Sequence, residues 1–349
     1  MKGLRVFSAF YLSYLLVVIY SVMCLQTKIY RRNFSWEIFF SSLVIALLFF
    51  LAFYVGYKAG SRFFKLPVLI AFLLLSPSQG MVGVLIVLFV ILAIEILGVS
   101  LVRISKLFLI AGFLSLALLY LYVGIPLFSS SLRLRLVGPL VVTAYTIVLG
   151  LVYLPWDMGK KLPLFGIFVL LFYLSSFKSL VVFILLPLII FIVEELPFLI
   201  VPFFLLLSSF FYPHLAERIG FTFLTFENLV KLSFPLGLFH GKLLMSSNPR
   251  WLVAMLFGFV REKVHYTYFF FGQAVADFGV FGTLEALALG YLLRVSEGRR
   301  SYFFILSVYI YSLDPGIDSL ALLFVLGVLL VEYQNSQLGK YLYSPKSHQ

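Results

Sequence analysis

Long runs of Leu, Phe, Ile and Val, such as SLVVFILLPLIIFIV from Ser179 to Val193, follow one another with only short, often basic breaks between them. An apolar helix needs about 20 residues to cross the hydrocarbon of a bilayer, and lipid offers no partner to an unsatisfied backbone group, so such runs cross as helices or closed barrels. Barrel strands alternate apolar and polar residues; these runs do not. With 63% hydrophobic against 11% charged residues and a mean hydropathy of +1.11, the chain lies far outside the soluble globular range. The expected fold is an all-α polytopic membrane protein, with residues 1–349 forming one membrane domain.

Candidate crossings fall at 4–24, 37–57, 66–75, 80–102, 105–123, 137–155, 162–177, 179–193, 197–211, 268–293, 301–313 and 317–333, about twelve helices in all. The third has only about ten residues before the SPSQG break, and a short or re-entrant element there lowers the count to eleven. Residues 1–211 thus hold helices one to nine, 212–267 a long extracytoplasmic loop with interfacial helices, 268–333 the last three crossings and 334–349 a cytoplasmic tail. No small-residue cleavage site follows the apolar run that ends near Cys24, so that run reads as a retained first helix. As the single cysteine, Cys24 excludes an intramolecular disulfide and a multi-thiol metal site.

Starting inside, the twelve-crossing topology puts 14 of the 26 Lys and Arg residues on the cytoplasmic face, as basic short loops require. The net charge of +12 is spread over loops on both faces and forms no groove with stacking aromatics, which argues against nucleic acid. Most of the inner charge reads as the topological signal plus attraction to anionic membrane lipids. The outer cations cost orientation and invite a function: Arg133, Arg135 and Lys178, together with the basic residues of a hydrophilic island from Tyr212 to Lys263.

That island carries Arg218, Lys231, Lys242, Arg250, Arg261 and Lys263 against Glu217, Glu227 and Glu262, and with His265 at its exit it holds three of the four histidines. Guanidinium groups make bidentate contacts to phosphate oxygens, whereas lysine acts as a point charge; interfacial snorkelling is the plainer alternative. Trp251 to Val260 is too short to cross and reads as a helix lying in the headgroup plane. Beyond it, Ala276, Gly279 and Gly282 form a small-residue stripe suited to a neighbouring helix at close range. If this helix starts near His265, Asp277 lies about 18 Å deeper, too far for surface chemistry. An ionisable residue there is either functional or a helix-locking hydrogen-bond acceptor.

VGIPLFSSSLRLR (Val123–Arg135), the isolated basic residue in SSFKSL (Ser175–Leu180), and TYFFFGQAVADFGVFGT (Thr267–Thr283) followed by LGYLLR resemble the O-antigen polymerases, the oligosaccharide repeat-unit polymerases, in their archaeal form. The resemblance implies a GT-C-like, metal-independent glycosyltransferase that joins polyprenyl-pyrophosphate-linked oligosaccharides on the outer face of the cell membrane. No cofactor is implied, and a flippase and chain-length proteins are the implied partners. Arg133 and Arg135 then correspond to pyrophosphate contacts, and Lys178 stands where the family commonly shows arginine. Arg218, Arg250 and Arg261 join them on the outer side. Related O-antigen ligases carry a His-Asn pair before a Gly-x-x-Gly; here Tyr266 follows His265, so His265 and His240 remain the two candidate bases, with His265 favoured.

The chemistry of the residues agrees with the resemblance. A sugar held through C1 to a lipid pyrophosphate has a good leaving group once cations stabilise its growing charge, and a histidine suits deprotonation of the acceptor hydroxyl. The first outer loop, Leu25 to Trp36, has no acidic cluster to hold a metal. The rival class, a lipid-linked-oligosaccharide flippase or other polytopic transporter, predicts internal repeats with broken helices in matching halves, and no repeat is visible.

Overall fold

The structure is a computed structural model describing residues 2–29, 35–60, 62–93, 100–128, 130–211, 213–257 and 266–342, with side chains except at 24–29, 130, 131, 133–135, 210, 211, 213 and 335–342. In chain order its helices are α1 (Lys2–Ile29), α2 (Trp36–Lys58), α3 (Lys65–Leu75), α4 (Gly80–Ile91), α5 (Leu101–Val123), α6 (Ser130–Tyr153), α7 (Met158–Leu174) and α8 (Lys178–Val193). They continue as α9 (Ile200–Leu206), α10 (Pro213–Ser233), α11 (Pro249–Leu256), α12 (Gly272–Phe278), α13 (Thr283–Ser296), α14 (Ser301–Tyr311) and α15 (Ser319–Leu342). Among the described residues there is no strand.

Among the described residues, six stretches are long and apolar enough to cross a membrane: Lys2–Met23, Trp36–Lys58, Lys65–Ile91, Leu101–Phe128, Leu136–Tyr153 and Gly272–Ser296. Pro197–Ser209 and His214–Ser233, bent by 103°, make a seventh if taken as one broken span. The helices Lys178–Val193, Ser301–Tyr311 and the Ser319–Gln334 part of α15 are apolar but shorter. The separate third and fourth crossings expected at 66–75 and 80–102 are one stretch here, Lys65–Ile91. The SPSQ segment continues as a 3-10 turn, because Ser76 Oγ donates back to Leu73 O at 2.9 Å and Ser78 Oγ to Leu75 O at 2.6 Å. Those hydroxyls satisfy carbonyls that a break would strand in lipid. Met81, Leu121, Tyr122 and Phe128 are strongly exposed, as apolar side chains facing lipid are.

The chain packs as two compact units. The first spans residues 1–62, 189–298 and 305–321. Its core is aromatic: the Phe7 ring lies 4.6 Å from Phe53 and 5.4 Å from Phe270, and Tyr11 lies 4.7 Å from Phe50. Burying such rings dominates core energetics, and each well-placed pair adds about 0.5–1.5 kcal/mol beyond area. Helices α2 and α13 touch backbone to backbone; a Cβ on Gly56 would fall 1.9 Å from Leu287 O, and one on Gly290 1.9 Å from Phe53 O. Small residues let helices approach this closely in lipid.

The second unit spans 63–188, 299–304 and 322–349. Here α5 packs on α6 through Gly112, against Ile147, and Gly150, against Leu109, with Ser115 and Thr143 hydroxyls 2.9 Å apart across the pair. The Tyr145 ring gathers Phe183 at 5.0 Å and Phe324 at 4.9 Å.

Candidate functional site

The polar segment after α10 is built onto the broken end of α12. A helix leaves its last carbonyls without partners, and in α12 the loop from residue 234 supplies them. Leu238 and Phe239 N–H groups both donate to Ala276 O at 2.7 and 3.0 Å, and His240 N–H donates to Asp277 O at 3.0 Å. In return Val280 N–H donates to Pro235 O at 2.8 Å. Two glycines make this contact sterically feasible: a Cβ on Gly237 (φ +86°) would fall 2.3 Å from Asp277 O, and one on Gly279 (φ +57°) 1.9 Å from Pro235 O.

The small-residue stripe therefore receives a loop, where a neighbouring helix was expected. Positive φ at Gly279 ends α12, a 3-10 turn runs to Gly282, and Gly282 lies so close to Ala274 that a Cβ would be 2.4 Å from its carbonyl oxygen. The helix also starts later than expected, at Gly272, which puts Asp277 five residues from its start. Gly279→Ala is expected to destabilise the detergent-solubilised protein by about 2 kcal/mol or more, from left-handed backbone strain plus the clash with Pro235 O. Gly166→Ala, with nothing within 4 Å, should leave the melting temperature nearly unchanged; equal melting of the two variants would refute this account.

Asp277 is fully buried, and its carboxylate anchors the same loop. Oδ1 accepts from Leu243 N–H at 3.0 Å, and Oδ2 from Leu244 N–H at 2.8 Å and Gln273 Nε2 at 2.9 Å. Hydrogen bonds to a charged group are worth about 1.5–3 kcal/mol each, and without them a buried carboxylate is untenable. The helix-locking alternative for Asp277 thus takes a specific form: its carbonyl and carboxylate together fix the turn at 240–244. His240 sits on that turn, exposed, with φ +48°, a conformation rare outside glycine though several-fold enriched in histidine. Lys242 is exposed two residues on.

A second polar cluster joins α10 and α11 to the α14–α15 turn. Arg218 Nε and Nη2 both donate to Asp314 Oδ2, at 2.9 and 2.7 Å. Thr222 donates to Asp314 Oδ1 at 3.0 Å and meets the Thr267 hydroxyl at 2.6 Å. Arg250 Nη2 lies 3.3 Å from Asp318 Oδ2, while Asp318 Oδ1 accepts from Ala321 N–H at 2.9 Å and so caps α15. Arg250 itself opens α11, whose N-terminus carries the Asn248 side chain on Trp251 N–H at 3.4 Å and Pro249 in the first turn. Tyr266 N–H donates to Arg250 O at 3.2 Å, and partial burial pushes the Tyr266 phenol up from its ordinary pKa.

Arg218 and Arg250 thus each face a carboxylate, which the sequence reading did not anticipate. Asp314 and Asp318 went unnoticed, although DPG marks a turn and Asp-Ser before an apolar run marks a helix start. His265 and Arg261 lie outside the described residues, as do Glu262, Lys263 and Glu95. In the second unit, Lys178 is the exposed first residue of α8. Positions 133 and 135, expected in a loop, lie in the opening turns of α6, with side chains outside the described set. Among the described residues no group of three or more His, Cys, Asp or Glu side chains could hold a metal ion.

The family model of the O-antigen polymerases matches residues 11–325, spanning the 123–135 segment, the Asp277 anchor and both candidate histidines. The chain belongs to the O-antigen polymerase family. It is accordingly a multi-pass membrane protein of polysaccharide biosynthesis, with an O-antigen polymerase or related membrane glycosyltransferase-like function. No curated protein and no solved structure shows a significant match to the chain.

Proposed function

We propose that this member of the O-antigen polymerase family transfers a polyprenyl-pyrophosphate-linked oligosaccharide to the hydroxyl of a growing chain at the outer membrane face. In the reaction the bond between sugar C1 and the pyrophosphate oxygen breaks, and the acceptor oxygen bonds to C1. The hydroxyl proton passes to a histidine, and the electron pair leaves on the polyprenyl pyrophosphate. His240 and His265 are the candidate bases. Arg133, Arg135, Lys178, Arg218, Arg250 and Arg261 are the candidate cations for the leaving group, whose developing charge is where fixed donors contribute most. The GT-C-like architecture belongs to the same reading, as does the lower count of eleven crossings, with the shorter apolar helices crossing beside the long ones.

The family match over residues 11–325 carries this proposal. Local support comes from the 240–244 turn, where Asp277 holds an exposed histidine on a fixed backbone; a base needs such positioning. Lys178 adds support as a cation at the N-terminus of α8, the end where a helix itself favours an anion.

The test is reconstitution in liposomes with a synthetic polyprenyl-pyrophosphate oligosaccharide, following glycan length and release of polyprenyl pyrophosphate. Chain growth matched by release is expected, and it should persist in EDTA because pyrophosphate charge is met by side chains. Movement of the lipid-linked substrate across the bilayer without release would identify a flippase. Turnover abolished by EDTA and restored by a divalent metal would overturn the metal-independent mechanism.

A further inference from the structure

The Asp277 anchor leaves three buried oxygens unexplained. Gln273 gives its Nε2 to Asp277 Oδ2, while its Oε1 and both carboxyl oxygens of Glu285 are buried without a hydrogen-bond partner. Glu285 lies in the first turn of α13, brought back toward α12 by the close packing of Gly282 on Ala274. The amide orientation of Gln273 is fixed, since only its NH2 group can face the Asp277 carboxylate.

An ionised Glu285 would be a second buried anion in the same short stretch as Asp277, with no donor on either oxygen, which burial in a membrane does not tolerate. A proton on Glu285 supplies the missing donor, and the orphaned Oε1 of Gln273 is the acceptor. We propose that Glu285 is a positioning residue, carried as a neutral acid that donates to Gln273 Oε1 and completes a hydrogen-bonded chain through Gln273 and Asp277 to the His240 turn. Its relevance to transfer rests on the reading of that turn as part of the reaction site; its hold on the loop does not.

Glu285→Gln keeps a donor for Gln273 Oε1, whereas Glu285→Leu keeps the bulk and removes it. Amide hydrogen exchange of the 238–246 segment is measured on the purified full-length protein. The Leu variant should exchange about 10-fold faster, matching roughly 1.4 kcal/mol for one buried hydrogen bond, and the Gln variant should match the wild type. Transfer in the Leu variant should lose kcat with donor KM unchanged. Wild-type exchange in Glu285→Leu, or Glu285→Gln behaving like it, overturns the proposal. Should the Leu variant fail to fold, infrared spectroscopy decides: the wild type should show a protonated-carboxyl C=O band that is missing from Glu285→Gln, and its absence from the wild type refutes the neutral acid. Loosened exchange with undiminished transfer in a His240 variant would instead sink the reaction-site reading and keep the positioning chain.

Discussion

His240→Ala and His265→Ala are expected to part company: one loses oligosaccharide transfer by about 10²–10⁴-fold, and the other keeps it. One proton leaves the acceptor hydroxyl per transfer, so one base suffices. Because that base acts mainly in the transition state, donor binding should survive its removal. His240 needs a second substitution, since alanine disturbs a turn held at φ +48°. Asparagine tolerates left-handed backbone at least as well as histidine, so His240→Asn preserves the turn and removes the imidazole. Loss in both His240 variants, with donor binding intact, assigns the base to His240; loss in His265→Ala alone assigns it to His265. Full turnover in all three variants would remove a histidine base from the mechanism.

The membrane-type helices were legible because the length of an apolar run reports directly on what it can cross. That information is local. The break between α12 and α13 was not legible, because Ala276, Gly279 and Gly282 read equally well as a helix-packing stripe and as an interruption. Only the arrival of Pro235 and Gly237 decides between them, and they come from a segment far away in sequence. Asp277 shows the same limit. An acidic residue in an apolar helix announces a buried partner, yet its partners are the backbone N–H groups of Leu243 and Leu244, which carry no side-chain signature. The short SPSQ segment failed as a break for the opposite reason: its serines bond within their own turn, so a pattern that usually ends a helix carries it onward.

The cationic side of the site divides along similar lines. The expectation of a role for the arginines rests on their cost in the expected topology; that Arg218 and Arg250 would meet Asp314 and Asp318 was not legible, because the turn supplying those carboxylates reads simply as punctuation between the last two apolar helices. Arg218 spends Nε and Nη2 on one carboxylate oxygen, so its part in holding a pyrophosphate would fall to the donors left over. Under the proposed reaction, Arg133 and Arg135 are the candidates for that charge to which the family resemblance gives the role.

Arg133→Ala and Arg135→Ala are therefore expected to have the other large effect, about 10²–10³-fold in transfer rate for the one whose donors meet the leaving group. The two need not be equal. Both positions lie in the opening turns of α6, and residues two apart on a helix fall on different faces, so a single pyrophosphate is met from one face more directly than from the other. The larger loss should be only partly recovered by lysine at the same position, because an ammonium restores charge without the bidentate fork. Membrane abundance of each variant is measured alongside glycan length and the rate of polyprenyl-pyrophosphate release. A normal glycan ladder in both alanine variants, at wild-type abundance, would exclude this segment from the leaving-group site and shift the search to Lys178 and the cations after α9.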